Sequence, residues 1–202
     1  DDDGANDGLE VSVGTDPLDG ASFPADISGS VGYTGPQTGL VWVVAAASSD
    51  RWSTVRSCVL TNSPWNYSLT DMPNLTNYWM KAWRDSNGNA SNDSWEAQGS
   101  YPANPVALNA DTNGIDFSLT DPDTDSDNLP DWWEVQWFGG TTNYGAASDP
   151  DSDALSNSDE YGLGTDPTDA DTDADTWNDG IEVTVGTDPL DPARHPVTLS
   201  GS

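Results

Sequence analysis

Most acidic side chains of this chain fall on one repeated spacing, D-x-D-x-D-x-x-x-D-x-x-E. DTDSDNLPDWWE places Asp123, Asp125, Asp127, Asp131 and Glu134 on it. DPDSDALSNSDE places Asp149, Asp151, Asp153, Asn157 and Glu160, and DTDADTWNDGIE places Asp171, Asp173, Asp175, Asp179 and Glu182. A variant, DSNGNASNDSWE, offers Asp85, Asn87, Asn89, Asp93 and Glu96. At the amino terminus Asp1, Asp3, Asp7 and Glu10 take the third, fifth, ninth and twelfth places of a fifth ladder, whose first ligand is expected two positions before Asp1.

Short carboxylates or carboxamides at alternate positions of a tight loop point inward together. A longer Glu at the twelfth place reaches back with both oxygens, and the seventh residue gives its carbonyl. That is a donor set for Ca2+, which takes about 6–8 hard oxygens at roughly 2.3–2.6 Å. The chain has five Glu, and all five sit at a twelfth place. A merely solvated acidic surface would mix Asp and Glu freely, so the spacing predicts several bound calcium ions.

The ladders differ from the EF-hand, which wants Gly at the sixth place. Here that place holds Ala90, Asn128, Ala154 and Thr176, and Gly4 only at the amino terminus. A β-branched Thr fits a left-handed turn poorly. No amphipathic helix of useful length precedes a ladder, so structural sites are expected rather than a calcium sensor that opens.

Catalysis is not expected. The one His is His195, Cys58 has no evident base, and every Glu is assigned to a ladder. A hydrolase would need a nucleophile with its base or an uncommitted carboxylate pair. Lys and Arg number 5 against 35 Asp and Glu, a net charge of -30. Such a polyanion repels nucleic acid and anionic membrane surfaces. No apolar run reaches the roughly 18 residues of a membrane span. Self-repulsion opposes folding, yet 10 Trp, 6 Tyr and 3 Phe are unlike the aromatic-poor composition of disordered chains. Folding with bound cations reconciles the two. Cys58 lies in alternating Thr54–Leu60 and reads as a structural thiol.

Each carboxy-terminal ladder runs into a short apolar piece, such as Trp132–Phe138 or Ile181–Val183, that cannot be stable as an isolated helix. Anchored by calcium, these pieces can pack on one another. Gly-Thr-Asp-Pro at 14–17, 164–167 and 186–189 stops them, and Asp166, Asp169 and Asp188 are further candidate ligands. Between the ladders, residues 21–120 are poorer in acid and richer in Val, Thr, Tyr and Trp. Seven strands are expected: Asp26–Tyr33, Leu40–Ala47, Trp52–Leu60, Trp65–Leu69, Asn77–Arg84, Val106–Leu108 and Gly114–Leu119. They predict a seven-stranded antiparallel β-sandwich, making the chain mainly β with a calcium-threaded loop-repeat segment and short helices. Trp42, Trp79, Trp83 and Trp95 are expected to pack in the core and loops rather than form a sugar platform.

Residues 3–19 (DGANDGLEVSVGTDPLD) and 175–191 (DTWNDGIEVTVGTDPLD) align without a gap at an offset of 172, and Ile27–Ser30 falls on Leu199–Ser202. The expected organisation is the end of one calcium-repeat segment at 1–20, the sandwich with its own loop at 21–120, a calcium-repeat segment at 121–192, and a linker or first strand of a next module at 193–202. This pattern suits a tandem array. Two related calcium motifs in one protein are the alternative.

DTDSDNLPDWWEVQWFGG and DPDSDALSNSDEYGLGTDPTDADTDADTWNDGIEV resemble the bacterial thrombospondin type 3-like calcium repeats of large secreted surface proteins, over 121–192 and 1–20. The resemblance implies a calcium-threaded, non-enzymatic stalk, although its usual D-G form is lost at the sixth places. Ile27–Val31, Leu69–Asn74 and Tyr78–Asp85 resemble the carboxypeptidase-regulatory-like, transthyretin-type sandwich of bacterial surface proteins, which implies a spacer or binding module. Two functions are therefore expected. One is a secreted, cell-surface structural repeat of a stalk, adhesin or filament, whose partners are copies of itself head to tail or adjacent repeats of one chain. The other is an accessory module that binds a surface glycan or a protein.

Overall fold

A computed structural model of the chain describes residues 5–50, 52, 54–74 and 76–196. The chain forms two units, Asp1–Pro122 and Asp123–Ser202.

In the first unit, helix α1 (Asp7–Val13) precedes β1 (Pro24–Gly32), β2 (Leu40–Ala46), β3 (Thr54–Leu60), β4 (Trp65–Pro73), β5 (Thr76–Asp85), β6 (Gln98–Ser100), β7 (Val106–Leu108) and β8 (Phe117–Ser118). One sheet has the order β4-β1-β8, and the other has β3-β2-β5-β6 with β7 also paired to β5. Alternation decides which side chains meet. Val41, Val43 and Ala45 of β2 and Tyr78, Met80 and Ala82 of β5 join Ile27, Leu69 and Met72 of the other sheet in one apolar core. Trp42 and Trp83, paired across β2 and β5, point the other way. Their rings stack at 5.6 Å and 6°, and Trp52 meets Trp83 edge-on at 5.4 Å. Cys58 packs against the core, and burial pushes its thiol up to about 11.

All seven expected strands are found, with shifted ends, and two features differ. The eighth strand, β6, is Gln98-Gly99-Ser100, which carries no apolar residue for a pattern to reveal. Its Gly is required by packing: a Cβ on Gly99 would lie 2.2 Å from the Ser118 carbonyl oxygen. The pairing is also not wholly antiparallel, because β8 runs parallel to β1, with Val31 opposite Phe117. The chain at 112–118 returns along the free edge of β1, where Ser28 donates to the Thr112 carbonyl at 2.9 Å and Ile115 to that of Ser28 at 3.1 Å.

In the second unit, α2 (Asp131–Phe138), α3 (Asn157–Leu163) and α4 (Asp179–Val185) each begin at the ninth position of a ladder. Each ends on a left-handed Gly (Gly139, Gly164 and Gly186) whose N–H donates back to the helix. Two of the three apolar pieces pack together, Tyr161 of α3 meeting Trp133 and Trp132 of α2 at 5.7 and 6.3 Å, whereas Ile181 and Val183 of the third are exposed. Among the described residues of this unit, only Leu129, Trp133, Leu155, Pro167 and Pro189 are buried apolar side chains. Asp131, Glu134, Asp153, Asn157, Glu160, Thr165, Asp179 and Glu182 are buried polar ones. The interior is therefore made largely of acid and amide rather than hydrocarbon.

The ladder loops adopt left-handed backbone mostly without glycine. Gly88, Ser126, Ser152 and Ala174 at the fourth places have φ of 74, 64, 67 and 62°, and Ala90, Asn128, Ala154 and Thr176 at the sixth have 58, 75, 82 and 86°. The sixth-place Thr thus takes the turn that its branching disfavours, at a cost of roughly 1–2 kcal/mol. The first-place Asp offsets this by accepting the turn's N–H groups. Asp171 accepts from Asp175 at 3.1 Å and Thr176 at 2.8 Å, and Asp123 accepts from Ser126 at 2.8 Å and Asn128 at 3.1 Å. Thr176→Gly keeps that bond and removes the strain, less roughly 0.5–1 kcal/mol of glycine chain entropy. It is expected to stabilise the second unit by about 0.5–1 kcal/mol, read as a higher denaturant midpoint. A lower midpoint would show that the turn is unstrained.

Candidate metal centre

In three loops the first, third and fifth residues bring carboxylate oxygens to within 4.8 Å of one another: Asp123 with Asp125 and Asp127, Asp149 with Asp151 and Asp153, and Asp171 with Asp173 and Asp175. Carboxylates at this spacing repel unless a cation sits among them. The twelfth-place Glu134, Glu160 and Glu182 are each 0% exposed. Both side-chain oxygens of all three lack a hydrogen-bond partner. Thr187 stands next to Glu182, but its hydroxyl donates to the Glu182 backbone carbonyl at 3.4 Å. A buried carboxylate without donor or counter-charge costs several kcal/mol.

The chain does not supply the counter-charge. Residues 123–202 contain 19 of the 35 acids, and Arg194 is their one Lys or Arg. Arg194 meets Asp188 at 3.8 Å on the surface, where an ion pair contributes little. Burial first, and then the neighbouring aspartates, push Glu134 up to about 7 and Glu160 up to about 8. Burial and Asp153 raise Asp151 to about 6, while Glu182 and Asp173 are raised by burial and by neighbouring aspartates. Asp151, Asp173 and Asp175 each keep one buried, unpartnered oxygen as well. The first- and fifth-place aspartates accept backbone N–H groups, whereas the buried Glu oxygens have no donor; clustered anionic oxygens of this kind could hold a hard divalent cation.

The ninth-place residues behave differently. Asp131 accepts from the backbone N of Thr124 at 2.7 Å and its hydroxyl at 2.6 Å. Asp179 accepts from Thr172 in the same way, at 3.0 and 2.6 Å. These two carboxylates clasp the second place of the loop. Where that place is Pro150, which has no N–H, the ninth is Asn157. Its amide donates to the Tyr144 and Gly145 carbonyls at 3.3 and 3.2 Å, and its oxygen is left without a partner.

Fifth-place aspartates also join successive loops, which the ladder pattern alone does not reveal. Asp127 accepts from Leu129 at 2.9 Å and, with its other oxygen, from Ala146 at 2.5 Å. Asp153 accepts from Leu155 at 2.7 Å and from Gly180 at 2.9 Å. The loop backbone passes so close that a Cβ on Gly180 would lie 2.2 Å from the Asp153 carbonyl oxygen.

The other predicted ligands are placed differently. Glu10 is fully buried on α1 and Asp7 is exposed, while Asp1 and Asp3 lie outside the described residues. In the loop 85–96, Asp85 accepts from Asn89 and Ala90, both at 3.0 Å. Asn87, Asn89, Asp93 and Glu96 of that loop bond to one another or to the adjoining backbone. Asp166, Asp169 and Asp188 accept the N–H two residues ahead, at 2.9, 3.3 and 3.2 Å, as ordinary turn formers.

Residues 1–20 and 178–192 match the family model of the bacterial TSP3 repeat. These stretches, similar to that repeat, are the ones related by the 172-residue offset, and they carry α1 with Glu10 and α4 with Glu182. No curated protein and no solved structure matches the chain. Among the described residues no helix is long and apolar enough to cross a membrane.

The close approach of Gly180 to Asp153 can be tested by substitution. Gly180→Ala is expected to destabilise the second unit by roughly 1–3 kcal/mol through the clash with Asp153. Gly162→Ala on α3, with nothing within 4 Å, is expected to stabilise it by up to about 1 kcal/mol. Equal effects in thermal unfolding would refute the close approach. The buried glutamates make a second prediction, for pH. Without a cation, Glu134 and Glu160 hold protons in the folded state up to about 7 and 8, whereas unfolded Glu releases them near about 4.3. The folded state then binds more protons, so stability falls as pH rises from about 4 to 8. With calcium bound the glutamates stay ionised, and stability falls instead on acidification. Unfolding temperatures at pH 5 and 8, in calcium-stripped and calcium-loaded protein, should slope in opposite directions; the same slope in both would contradict the sites.

Proposed function

We propose that this chain is an extracellular structural module whose second unit is held folded by calcium. The observation that carries this reading is the pair of unpartnered oxygens on fully buried Glu134, Glu160 and Glu182, each in a loop with an aspartate triplet. Bound calcium supplies the missing positive charge. The aspartates and the Glu hold it, the Thr clasps set the loop, and Asp127 and Asp153 tie their loops to the backbone at Ala146 and Gly180. Similarity to the bacterial TSP3 repeat supports the same reading. Where no site exists before folding, binding free energy is folding free energy. At calcium about 100 times the dissociation constant each independent site adds ~2.7 kcal/mol. Similarity to the TSP3 repeat is what supports placing the module in a secreted or surface protein.

We read the two sheets sharing one core as a transthyretin-type sandwich serving as a spacer, and the chain as non-catalytic. The 172-residue offset supports modules arranged head to tail, as neighbours in one chain or as separate subunits forming a fibre, since such a contact does not close on itself. The tail at 197–202, a candidate first strand of the next module, lies outside the described residues. The second reading, an accessory module that binds a glycan, has one observation in its favour. A shallow hollow of about 280 Å³ is lined by Trp52, Lys81, Gln98 and Ser100, a ring beside polar groups.

Removing calcium from the intact chain should open residues 123–196 to protease while the sheet signal of residues 24–118 persists. Glu160→Gln should do the same partially at saturating calcium, and Asp50→Asn should not. A chain equally resistant with and without calcium would overturn the structural role. Elongated particles in electron micrographs support the array, and glycan-array binding lost in Trp52→Ala would favour the accessory module.

A further inference from the structure

We infer that the loop 85–96 carries the calcium ladder without taking calcium, because two of its own amide groups occupy the role of the ion. The inference deepens the proposed function and rests on it for the contrast with the other loops.

The backbone of this loop is that of the other three: Gly88 and Ala90 are left-handed, like their counterparts at the fourth and sixth places. Asp85 is buried and takes the turn N–H groups of Asn89 and Ala90, just as Asp171 takes those of Asp175 and Thr176. The interior of the loop is what differs. The third and fifth places are Asn87 and Asn89, whose side-chain amides both donate to Asp93 Oδ2, at 2.7 and 2.8 Å. Drawn inward by two donors, Asp93 does not clasp the second place. The N–H of that residue, Ser86, goes instead to Glu96 Oε1 at 2.6 Å, and the N–H of Asp93 goes to Glu96 Oε2 at 3.2 Å. Glu96 is as fully buried as Glu134, Glu160 and Glu182, yet both of its oxygens are satisfied where theirs are not.

The charge agrees with the geometry. Five ladder positions hold three carboxylates here, against five in the loops 123–134 and 171–182 and four in 149–160. Within 85–96 the one buried polar atom without a partner, among the described residues, is Asn92 Nδ2. It is a donor and would repel a cation. The loop also closes without an ion. It connects β5 to β6, and its ends are joined by the pairs Lys81 with Ser100, Ala82 with Gly99 and Trp83 with Gln98, and by the Arg84 N–H on the Ala97 carbonyl at 2.8 Å. The other three loops lead into short helices and, among the described residues, have no strand pairing to hold their ends. The first unit therefore keeps this loop at any calcium level, and calcium acts on the second unit rather than on this loop.

The test is a calcium titration of the whole chain monitored by NMR, reading the side-chain amides of Asn87 and Asn89 and the backbone N–H of Ser86 and Asp93, with those of Asp175, Thr176 and Trp177 as reference. The expected result is that the first set stays in place while the second set shifts to saturation. A shift at Asn87, Asn89 and Ser86 that tracks calcium would overturn the inference. Immobility in both sets would uphold the loop assignment and overturn the proposed function, which separates the two failures. The variant Asn87→Asp with Asn89→Asp removes the internal donors and restores the ladder. It is expected to bind one more equivalent of calcium by calorimetry than the unaltered chain, and no gain would contradict the amides as the reason for exclusion.

Discussion

A buried carboxylate needs a donor or a positive charge, and residues 123–196 leave three glutamates with neither. Glu134, Glu160 and Glu182 are sealed from water with both oxygens bare, beside aspartates drawn within 4.8 Å of each other. Arg194 is the sole Lys or Arg of the segment and lies at the surface. Everything else in this unit is arranged around that deficit. The first-place Asp gathers the turn's N–H groups, the left-handed residues aim the oxygens inward, and the helix after each loop carries the Glu back to them. With only Leu129, Trp133, Leu155, Pro167 and Pro189 as buried apolar side chains among those described, hydrophobic burial alone cannot offset the ordering of such a chain.

The first unit is held together in the usual way. Its core of Ile27, Val41, Val43, Leu69, Met72, Tyr78, Met80 and Leu108 is drawn from both sheets. The loop 85–96 belongs to this regime although its sequence belongs to the other. Strand pairing closes it and amides neutralise it, so one ladder of residues serves two kinds of cohesion. The difference lies in two atoms per loop: an Asn nitrogen in place of an Asp oxygen at the third and fifth positions turns repulsion into hydrogen bonding.

Much of this was legible in the sequence, for physical reasons. The confinement of Glu to the twelfth place marked the glutamates that the fold buries with both oxygens bare in the loops 123–134, 149–160 and 171–182. Apolar, β-branched and aromatic enrichment at Leu40–Ala46 and Asn77–Arg84, between turn residues, marked the inner strands. Three features were hidden. β6 has no side chains that a pattern could detect, and its Gly99 answers to Ser118 passing over it. The parallel seat of β8 depends on where the chain returns, which local spacing does not encode. The ninth-place residues read as ligands because they are acidic, whereas Asp131 and Asp179 spend their oxygens on Thr124 and Thr172. A signal for that was present: Thr at the second place accompanies Asp at the ninth in both loops, and Pro150 accompanies Asn157.

The most direct test is a crystal structure of the chain grown with calcium, with anomalous difference maps locating the ion. Calcium threading predicts one peak in each of the loops 123–134, 149–160 and 171–182, with both oxygens of Glu134, Glu160 and Glu182 at roughly 2.3–2.6 Å from it. Loops without a peak, their glutamates protonated or bonded to water, would contradict it.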